Sequence, residues 1–438
     1  MGSFAIKIYG CQMNAYDGDR LRTALILRGW REVPEESADV VLYVGCSIRD
    51  KAEHKVWSEL GRHRLSWESR RGPLVCLVGC IAQNVGREMM SRFPWLRLVA
   101  GPRSLGGVPS GVERIMAGET VDLIDQDPRS VHDLDVTPVY RINPWRASVT
   151  IAYGCDNFCT YCIVPHVRGR FQSRPPGDIM REVRELVGEG VQEISLLGQN
   201  VDTYGSDLEN YRFSDLLREV AETDGVELVR FLTSYPNDLT SDVVEVMASH
   251  PSICPGINLP IQAGSDRILK RMNRRYSLEE YARTVEMIRS GLPEVGLTSD
   301  LIVGFPGETE EEFQASMAAI RRFRFDLVHT AAYSPRSGTP AASMKDQLSR
   351  EEKQRRLGEI NRLQASIAME INRALVGRRY RILLDSVAPK GDGLIQGRTG
   401  TDKVILCPGE SSWLGRFAQV EILRAENWCL HGRVISVE

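Results

Sequence analysis

Three cysteines fall within eight residues, Cys155-Asp-Asn-Phe-Cys159-Thr-Tyr-Cys162. A C-x3-C-x2-C run just past an apolar strand can offer three thiolates to three irons of one [4Fe–4S] cube. The fourth iron then lacks a protein ligand and is open to a substrate or cofactor. Two other readings compete. Cys159-x-x-Cys162 can be half of a zinc site with two ligands elsewhere, or the three thiols can be unrelated.

A second set is dispersed: Cys11, Cys46 and Cys80, separated by 35 and 34 residues. Each follows an apolar run and a glycine, in Ile8-Tyr-Gly-Cys11, Tyr43-Val-Gly-Cys46 and Leu77-Val-Gly-Cys80. Residues just beyond the carboxyl ends of parallel strands share one edge of a sheet, where ligands collect. Three such thiols can converge, and the glycines let backbone come close to a bulky group. The alternative is three ordinary core cysteines. Cys76 lies inside its strand and reads as core. Cys254, Cys407 and Cys429 show no metal-ligand spacing and read as structural or unligated.

These residues sit in a chain of 438 residues with a formal charge of −3, 42% apolar and 26% charged residues. Such a composition excludes a polybasic or disordered protein and supports two to four domains. No run reaches the roughly 18–20 apolar residues of a membrane helix, and the first residues lack the pattern of a signal peptide. Those readings predict a cytoplasmic protein with no membrane partner. Reduced thiols in that compartment favour metal or redox chemistry over disulfides.

The elements that must position the cysteines alternate. Strands are predicted at 4–9, 39–44 and 74–78, with helices at 17–28 and 51–65, as in a parallel sheet flanked by helices. A proline-bearing passage follows. From Ser148 the strand–helix rhythm resumes, with six strands at 148–152, 193–197, 228–232, 256–259, 296–303 and 326–330. Six units are too few for a closed eight-fold barrel and suit a partial one. A charged helix at 349–375 leads to five short strands broken by Gly, Asp and Pro, which read as a small barrel. The expected fold class is therefore α/β: an N-terminal parallel α/β domain (1–125), a linker (126–146), a central partial (β/α)6 barrel (147–374) and a small antiparallel β-barrel (375–438).

The motif around Cys155, Cys159 and Cys162, with Phe158 and Tyr161 interleaved, resembles that of the radical S-adenosylmethionine superfamily. Tyr9-Gly-Cys-Gln-Met-Asn14, Cys46-Ser-Ile-Arg-Asp-Lys-Ala52 and Gly79-Cys-Ile-Ala-Gln83 resemble the N-terminal motifs of its methylthiotransferases. Further matching motifs are Leu197-Gly-Gln-Asn-Val201, Leu259-Pro-Ile-Gln-Ala-Gly-Ser265 and Asp300-Leu-Ile-Val-Gly-Phe-Pro-Gly-Glu-Thr309. The last 64 residues (375–438) look like a TRAM domain, an RNA-binding module. The resemblance spans essentially the whole chain.

It implies two [4Fe–4S] clusters, one on Cys155, Cys159 and Cys162 and an auxiliary one on Cys11, Cys46 and Cys80. It implies S-adenosylmethionine on the open iron of the first, beside Gly198, Gln199, Ser234, Gln262 and Asp300. The motif at Cys46 looks most like the MiaB-type branch, whose members methylthiolate C2 of N6-isopentenyladenosine at tRNA position 37. Two other branches act on threonylcarbamoyladenosine in tRNA or on a ribosomal-protein aspartate. The implied partners are a tRNA anticodon stem–loop, an electron donor such as flavodoxin or ferredoxin, and a donor of sulfur or clusters. Non-catalytic readings are an iron–sulfur RNA-binding scaffold and a zinc-binding RNA module.

The adenine C2–H is strong and not acidic, which disfavours acid–base chemistry and suits a cofactor radical. The expected scheme uses S-adenosylmethionine twice, once as methyl donor to cluster-bound sulfur and once as radical source. Three positions depart from the family pattern. Val44-Gly45 replaces Asn-Thr before the second cysteine, so a polar contact to the auxiliary cluster is expected to be absent. Asn258 replaces His, and Phe171 replaces Glu. Local charge is uneven: residues 349–379 hold eight Lys/Arg against four Asp/Glu, and 376–438 nine against seven. Arg321 to Arg324 and Arg267 to Arg275 are further basic stretches; the weakly basic terminal barrel suits phosphate binding, while any one such patch reads more readily as a solvated helix face.

Overall fold

A computed structural model describes residues 2–47, 50–69, 72–125, 127, 129–389 and 393–438. Ile48 and Arg49 of the second cysteine motif lie outside the described residues, as do Gln126 at the start of the expected linker and Pro128.

The first sheet has six strands: β1 (Ser3–Tyr9), β2 (Arg31–Glu32), β3 (Val40–Gly45), β4 (Leu74–Gly79), β5 (Leu96–Ala100) and β6 (Val121–Leu123). Their spatial order is β2-β1-β3-β4-β5-β6, and every pairing is parallel. A parallel sheet needs both faces covered, and the apolar residues divide accordingly. Val40, Leu42 and Val44 pack with Leu21, Leu25, Val112 and Ile115 on one side. Val41, Tyr43, Val75 and Leu77 pack with Val56, Leu60, Ile81 and Met89 on the other. The β5 and β6 strands were not expected. Beside them, Leu134, assigned to the linker, is buried in the first of these cores.

The second layer opens with β7 (Arg146–Thr150), then the two-residue strands β8 (Ala152–Tyr153) and β9 (Gln172–Ser173), which pair with each other. It continues with β10 (Glu193–Leu197), β11 (Leu228–Leu232), β12 (Gly256–Asn258), β13 (Gly296–Val303) and β14 (Leu327–Ala332). The six longer strands form two parallel triplets, β11-β10-β7 and β12-β13-β14. An isolated parallel bridge between Val229 and Ile253 adjoins the gap between them. The result is the six-stranded partial barrel that the periodicity predicts.

A 24-residue helix (Arg350–Arg373) starts at a Ser349 cap that accepts from the Glu352 N–H. It hands over to β15 (Arg379–Val387), β16 (Leu394–Arg398), β17 (Val404–Pro408), β18 (Phe417–Ala425) and β19 (Leu430–Val437). These close in the order β15-β16-β17-β19-β18. Four pairings are antiparallel and β17–β19 is parallel, which is what lets five strands close.

This small barrel is keyed into the foot of the larger one. Arg230, buried on β11, donates to the Thr399 and Gly400 carbonyls at 2.9 and 3.1 Å and to Asp402 at 3.0 Å, while also pairing with Glu193. Arg398 pairs with Glu193 and Asp402. Lys403 bonds Asp326 at 2.5 Å. Gly296 is required here, since a Cβ on it would fall 2.6 Å from the Thr401 Cβ and 2.8 Å from its carbonyl oxygen. Among the described residues, no helix is long and apolar enough to cross a membrane.

Candidate active site

The register of the first sheet sets out the dispersed cysteines. Tyr9 of β1 stands opposite Gly45 of β3, which stands opposite Gly79 of β4. Cys11, Cys46 and Cys80 leave these three neighbouring strand ends, so the sheet brings them to one edge. Gly10 makes the approach possible: a Cβ on it would lie 2.6 Å from that of Cys46. Gly79 takes φ +97°, and a Cβ there would meet the Gly45 carbonyl oxygen at 2.8 Å, so no other residue fits without strain. A hydrogen bond with Cys46 leads the lowering of the Cys11 thiol pKa; burial opposes it, and Arg168 and the backbone at Asn14 and Met13 assist. Burial raises that of Cys80, against the pull of Arg168. Asn14 accepts from the Cys11 thiol at 3.3 Å and donates to the Gly45 carbonyl at 3.3 Å. That carbonyl contact supplies polarity beside the second cysteine, although Val44-Gly45 carries no polar side chain.

The clustered cysteines lie in the loop after β8. Gly154 opens it at φ +64°, where a Cβ would run into the carbonyls of Gly169 and Arg170. The loop is pinned from the segment 271–274. Thr160 donates its N–H to Met272 at 3.0 Å and its hydroxyl to Arg271 at 2.9 Å. Asn273 donates to the Phe158 carbonyl at 3.0 Å. Burial pushes the Cys155 thiol up to about 11 and that of Cys162 up to about 12. A coordinating metal removes such protons outright.

Among the described residues, one buried arginine donates to each set of thiols. Arg168 donates Nε to Cys80 Sγ at 3.2 Å and Nη2 to Asp17 at 3.1 Å. Arg274 donates Nη1 to Cys159 Sγ at 3.4 Å and Nε to the Tyr276 hydroxyl at 3.0 Å, and lies 4.2 Å from the Tyr235 ring centre. A buried cation donating to one of three thiols suits an anionic thiolate-ligated cluster, whose potential depends on hydrogen bonds to sulfur. This donor chemistry, with three thiols per set, fits a [4Fe–4S] cluster at each. Arg274 belongs to the basic stretch 267–275, where a single patch reads more readily as solvated. It is turned inward instead, while Arg267 and Arg271 pair with Glu312 and Asp346.

Both sets meet one cavity of about 860 Å³. Its wall includes Cys11 from the first sheet and Cys155, Cys159 and Cys162 from the loop, with Tyr161 beside them. Gln199, Ser234, Gln262 and Asp300 line it too; of the five pocket residues expected from sequence, Gly198 does not. Across the seam, Met13 and Tyr16 pack on Leu197 and Leu232, and Cys80 packs on Ile163 and Val167. Gln199 Nε2 contacts Met13 Sδ at 2.6 Å, and Tyr16 donates to Glu182 at 2.9 Å. Asn258 lines the cavity and donates to Asp300 at 3.1 Å and Thr298 at 3.2 Å, so it ties two floor residues together. Phe171 packs on the barrel core, and its N–H bonds Asp156.

Sequence reasoning missed Arg168, Arg274 and Asp202. Asp202 accepts from the Tyr235 N–H at 2.9 Å and the Ser234 hydroxyl at 3.3 Å, which orients Ser234 in the cavity wall. Burial pushes its carboxyl up to about 7, against those two hydrogen bonds. The folded chain therefore keeps a proton that the unfolded chain releases near pH 4, so stability falls as pH rises from about 4 to about 7. Asp202→Asn removes that titration. Its melting temperature should gain on the wild type between pH 5.5 and 7 and run parallel to it above, in paired thermal scans. A constant offset across that range would refute the assignment.

Three family models match the chain: the Radical SAM superfamily over residues 149–320, Uncharacterized protein family UPF0004 over 3–101, and the TRAM domain over 373–435. Among curated relatives, a tRNA-2-methylthio-N(6)-dimethylallyladenosine synthase of Dictyoglomus thermophilum is 41% identical over 436 residues, covering 99% of each chain. One of Magnetococcus marinus is 42% identical over 435 residues, covering 98% of this chain and 99% of its own. Among solved structures, the radical S-adenosylmethionine methyltransferase TsrM of Kitasatospora setae aligns with TM-score 0.55 at 15% identity, covering 89% of this chain and 79% of that one. That likeness concerns the fold alone.

Proposed function

We propose, from the premise that this chain belongs to the family of tRNA-2-methylthio-N(6)-dimethylallyladenosine synthases, that its two cysteine sets act on one substrate base in the shared cavity. The chain is a radical S-adenosylmethionine methylthiotransferase, and its substrate is C2 of N6-isopentenyladenosine at tRNA position 37. The observation that carries the reading is that Cys11 and the triad Cys155, Cys159 and Cys162 line the same cavity. The proposed units are 1–125, 147–374 and 375–438, joined by 126–146.

Cys155, Cys159 and Cys162 would hold the radical cluster, and Cys11, Cys46 and Cys80 the auxiliary one. When bound, the pair supplies one-electron cleavage of S-adenosylmethionine and the inserted sulfur. The chain's own residues position and shield. Gln199, Ser234, Gln262 and Asp300 offer polar groups to S-adenosylmethionine, with Gly198 leaving room at the strand end. Arg274 and Arg168 hold a thiolate of each set in place. The seam of Met13, Tyr16, Leu197 and Leu232 keeps water from the space between the sets. Binding of tRNA falls to the TRAM barrel and the adjoining helix, whose positive balance suits phosphate. One-electron chemistry needs a reductant, for which a flavodoxin or ferredoxin is suited, and each product removes a sulfur that a donor must replace. A tRNA substrate supports a cytoplasmic reaction.

The test is anaerobic turnover of the iron-loaded chain with three substrates: an isopentenylated anticodon stem–loop, its threonylcarbamoylated counterpart and a ribosomal protein bearing the target aspartate. Methylthiolated product should form on the first, with 5′-deoxyadenosine and S-adenosylhomocysteine both released. Product on either other substrate alone would overturn the assignment, and product without both by-products would overturn the two-fold use of S-adenosylmethionine.

A further inference from the structure

The hairpin joining β18 to β19 gathers three metal-ligating side chains that the cysteine motifs do not include. The Glu426 N–H bonds the Cys429 carbonyl at 2.9 Å and closes a two-residue loop, Asn427-Trp428. Cys429 and His431 then alternate with buried Leu430 along the strand, so both project to the side away from the barrel core. Glu426 reaches across to meet them. His431 Nε2 lies 3.1 Å from Glu426 Oε1, Cys429 Sγ lies 3.5 Å from Glu426 Oε2, and Sγ lies 3.8 Å from Nε2. One ligand atom from each residue lies within 4.8 Å of the other two.

These separations resemble the edges of a coordination tetrahedron. With Zn–S near 2.3 Å and Zn–N and Zn–O near 2.0–2.2 Å, adjacent ligands of a tetrahedral zinc stand about 3.3–3.6 Å apart. The donor set of thiolate, imidazole and carboxylate is of the kind zinc takes. It is also preorganised: Asn372 donates to the Glu426 and Asn427 carbonyls at 2.8 and 3.2 Å and anchors the loop to the long helix. Arg424 bonds Glu426 at 2.6 Å and balances the negative charge that a thiolate and a carboxylate bring.

We propose that Glu426, Cys429 and His431 form a zinc site on the terminal barrel, with water in the fourth position, clamping the hairpin that walls the large cavity. Cys429, Asn427 and Trp428 line that cavity, so the clamp fixes part of its wall. The sequence reading gives Cys429 no metal-ligand spacing and takes it as structural or unligated. The hairpin supplies the missing proximity by folding Glu426 back beside the strand.

The test uses the full chain loaded with iron, so that the cluster cysteines are occupied, then exposed to one equivalent of zinc and desalted. Metal analysis should give close to one zinc per chain in the wild type. Cys429→Ser and His431→Ala should each lower zinc at least fivefold and leave iron and the sulfur-to-iron absorption unchanged. Zinc-edge X-ray absorption on the wild type should show a single sulfur neighbour near 2.3 Å. Zinc retained by both variants, a wild type without zinc, or a zinc shell with two or more sulfurs would each overturn the proposal.

Discussion

A chain carrying Cys159→Ala will take up about four irons in place of about eight and release no 5′-deoxyadenosine above background. One carrying Cys46→Ala will also hold about four, yet still cleave S-adenosylmethionine, and will make no methylthiolated tRNA. The contrast follows from where the thiols stand. Cys159 is buried in the pinned loop, with Arg274 donating to it. Cys46 is buried at the end of β3, in the other domain, beside Cys11. Neither set shares a side chain with the other, so each should load independently. Iron analysis and chromatography of the nucleoside products separate the two variants. Loss of cleavage in Cys46→Ala with its radical cluster intact would sink the division of labour.

Arg168→Met should destabilise the chain by about 3–5 kcal/mol, the usual cost of stripping one partner from a buried ion pair. The guanidinium sits between Asp17 of the first domain and Cys80, itself on the far side of the seam from Arg168. Burial already pushes the Asp17 carboxyl up to about 6, with Arg168 the leading opposing influence. Removing that cation leaves a carboxylate with poorer compensation and a cluster thiolate with one donor fewer. The auxiliary cluster should therefore also become harder to reduce. The two effects can be parted: adding Asp17→Asn should restore most of the stability but only part of the midpoint potential, since it lifts a negative charge from beside Cys80 while the hydrogen bond to that sulfur stays absent. Denaturant unfolding and redox titration read them separately. Full recovery of both would mean that Arg168 acts only by neutralising Asp17 and that its hydrogen bond to Cys80 does not set the potential.

The gathering of Cys155, Cys159 and Cys162 in one loop and of Cys11, Cys46 and Cys80 at one sheet edge was legible because the signals are local: a tight spacing in one case, a repeated strand–glycine–cysteine run in the other. Five strands of the partial barrel, β7, β10, β11, β13 and β14, were legible for the same reason, each being five residues or longer. The first sheet's outer strands were not. Val121–Leu123 is only three residues, too short for alternation to register. Arg168 and Arg274 were hidden by another cause. An arginine in a basic stretch looks solvated, and only tertiary packing turns Arg274 toward Cys159 while its neighbours pair at the surface. Asp202 was hidden likewise, since its partners Ser234 and Tyr235 are more than thirty residues away.

The salt-bridged plug under the barrel, where Arg230 grips Thr399, Gly400 and Asp402, has a consequence for how long substrates are measured. An accessory module on a slack tether would let a captured nucleic acid wander relative to the chemistry. This one is seated like a jig on a workbench. Whatever backbone it grasps is presented at one distance and one angle, so selecting a particular nucleotide becomes partly a matter of ruler length.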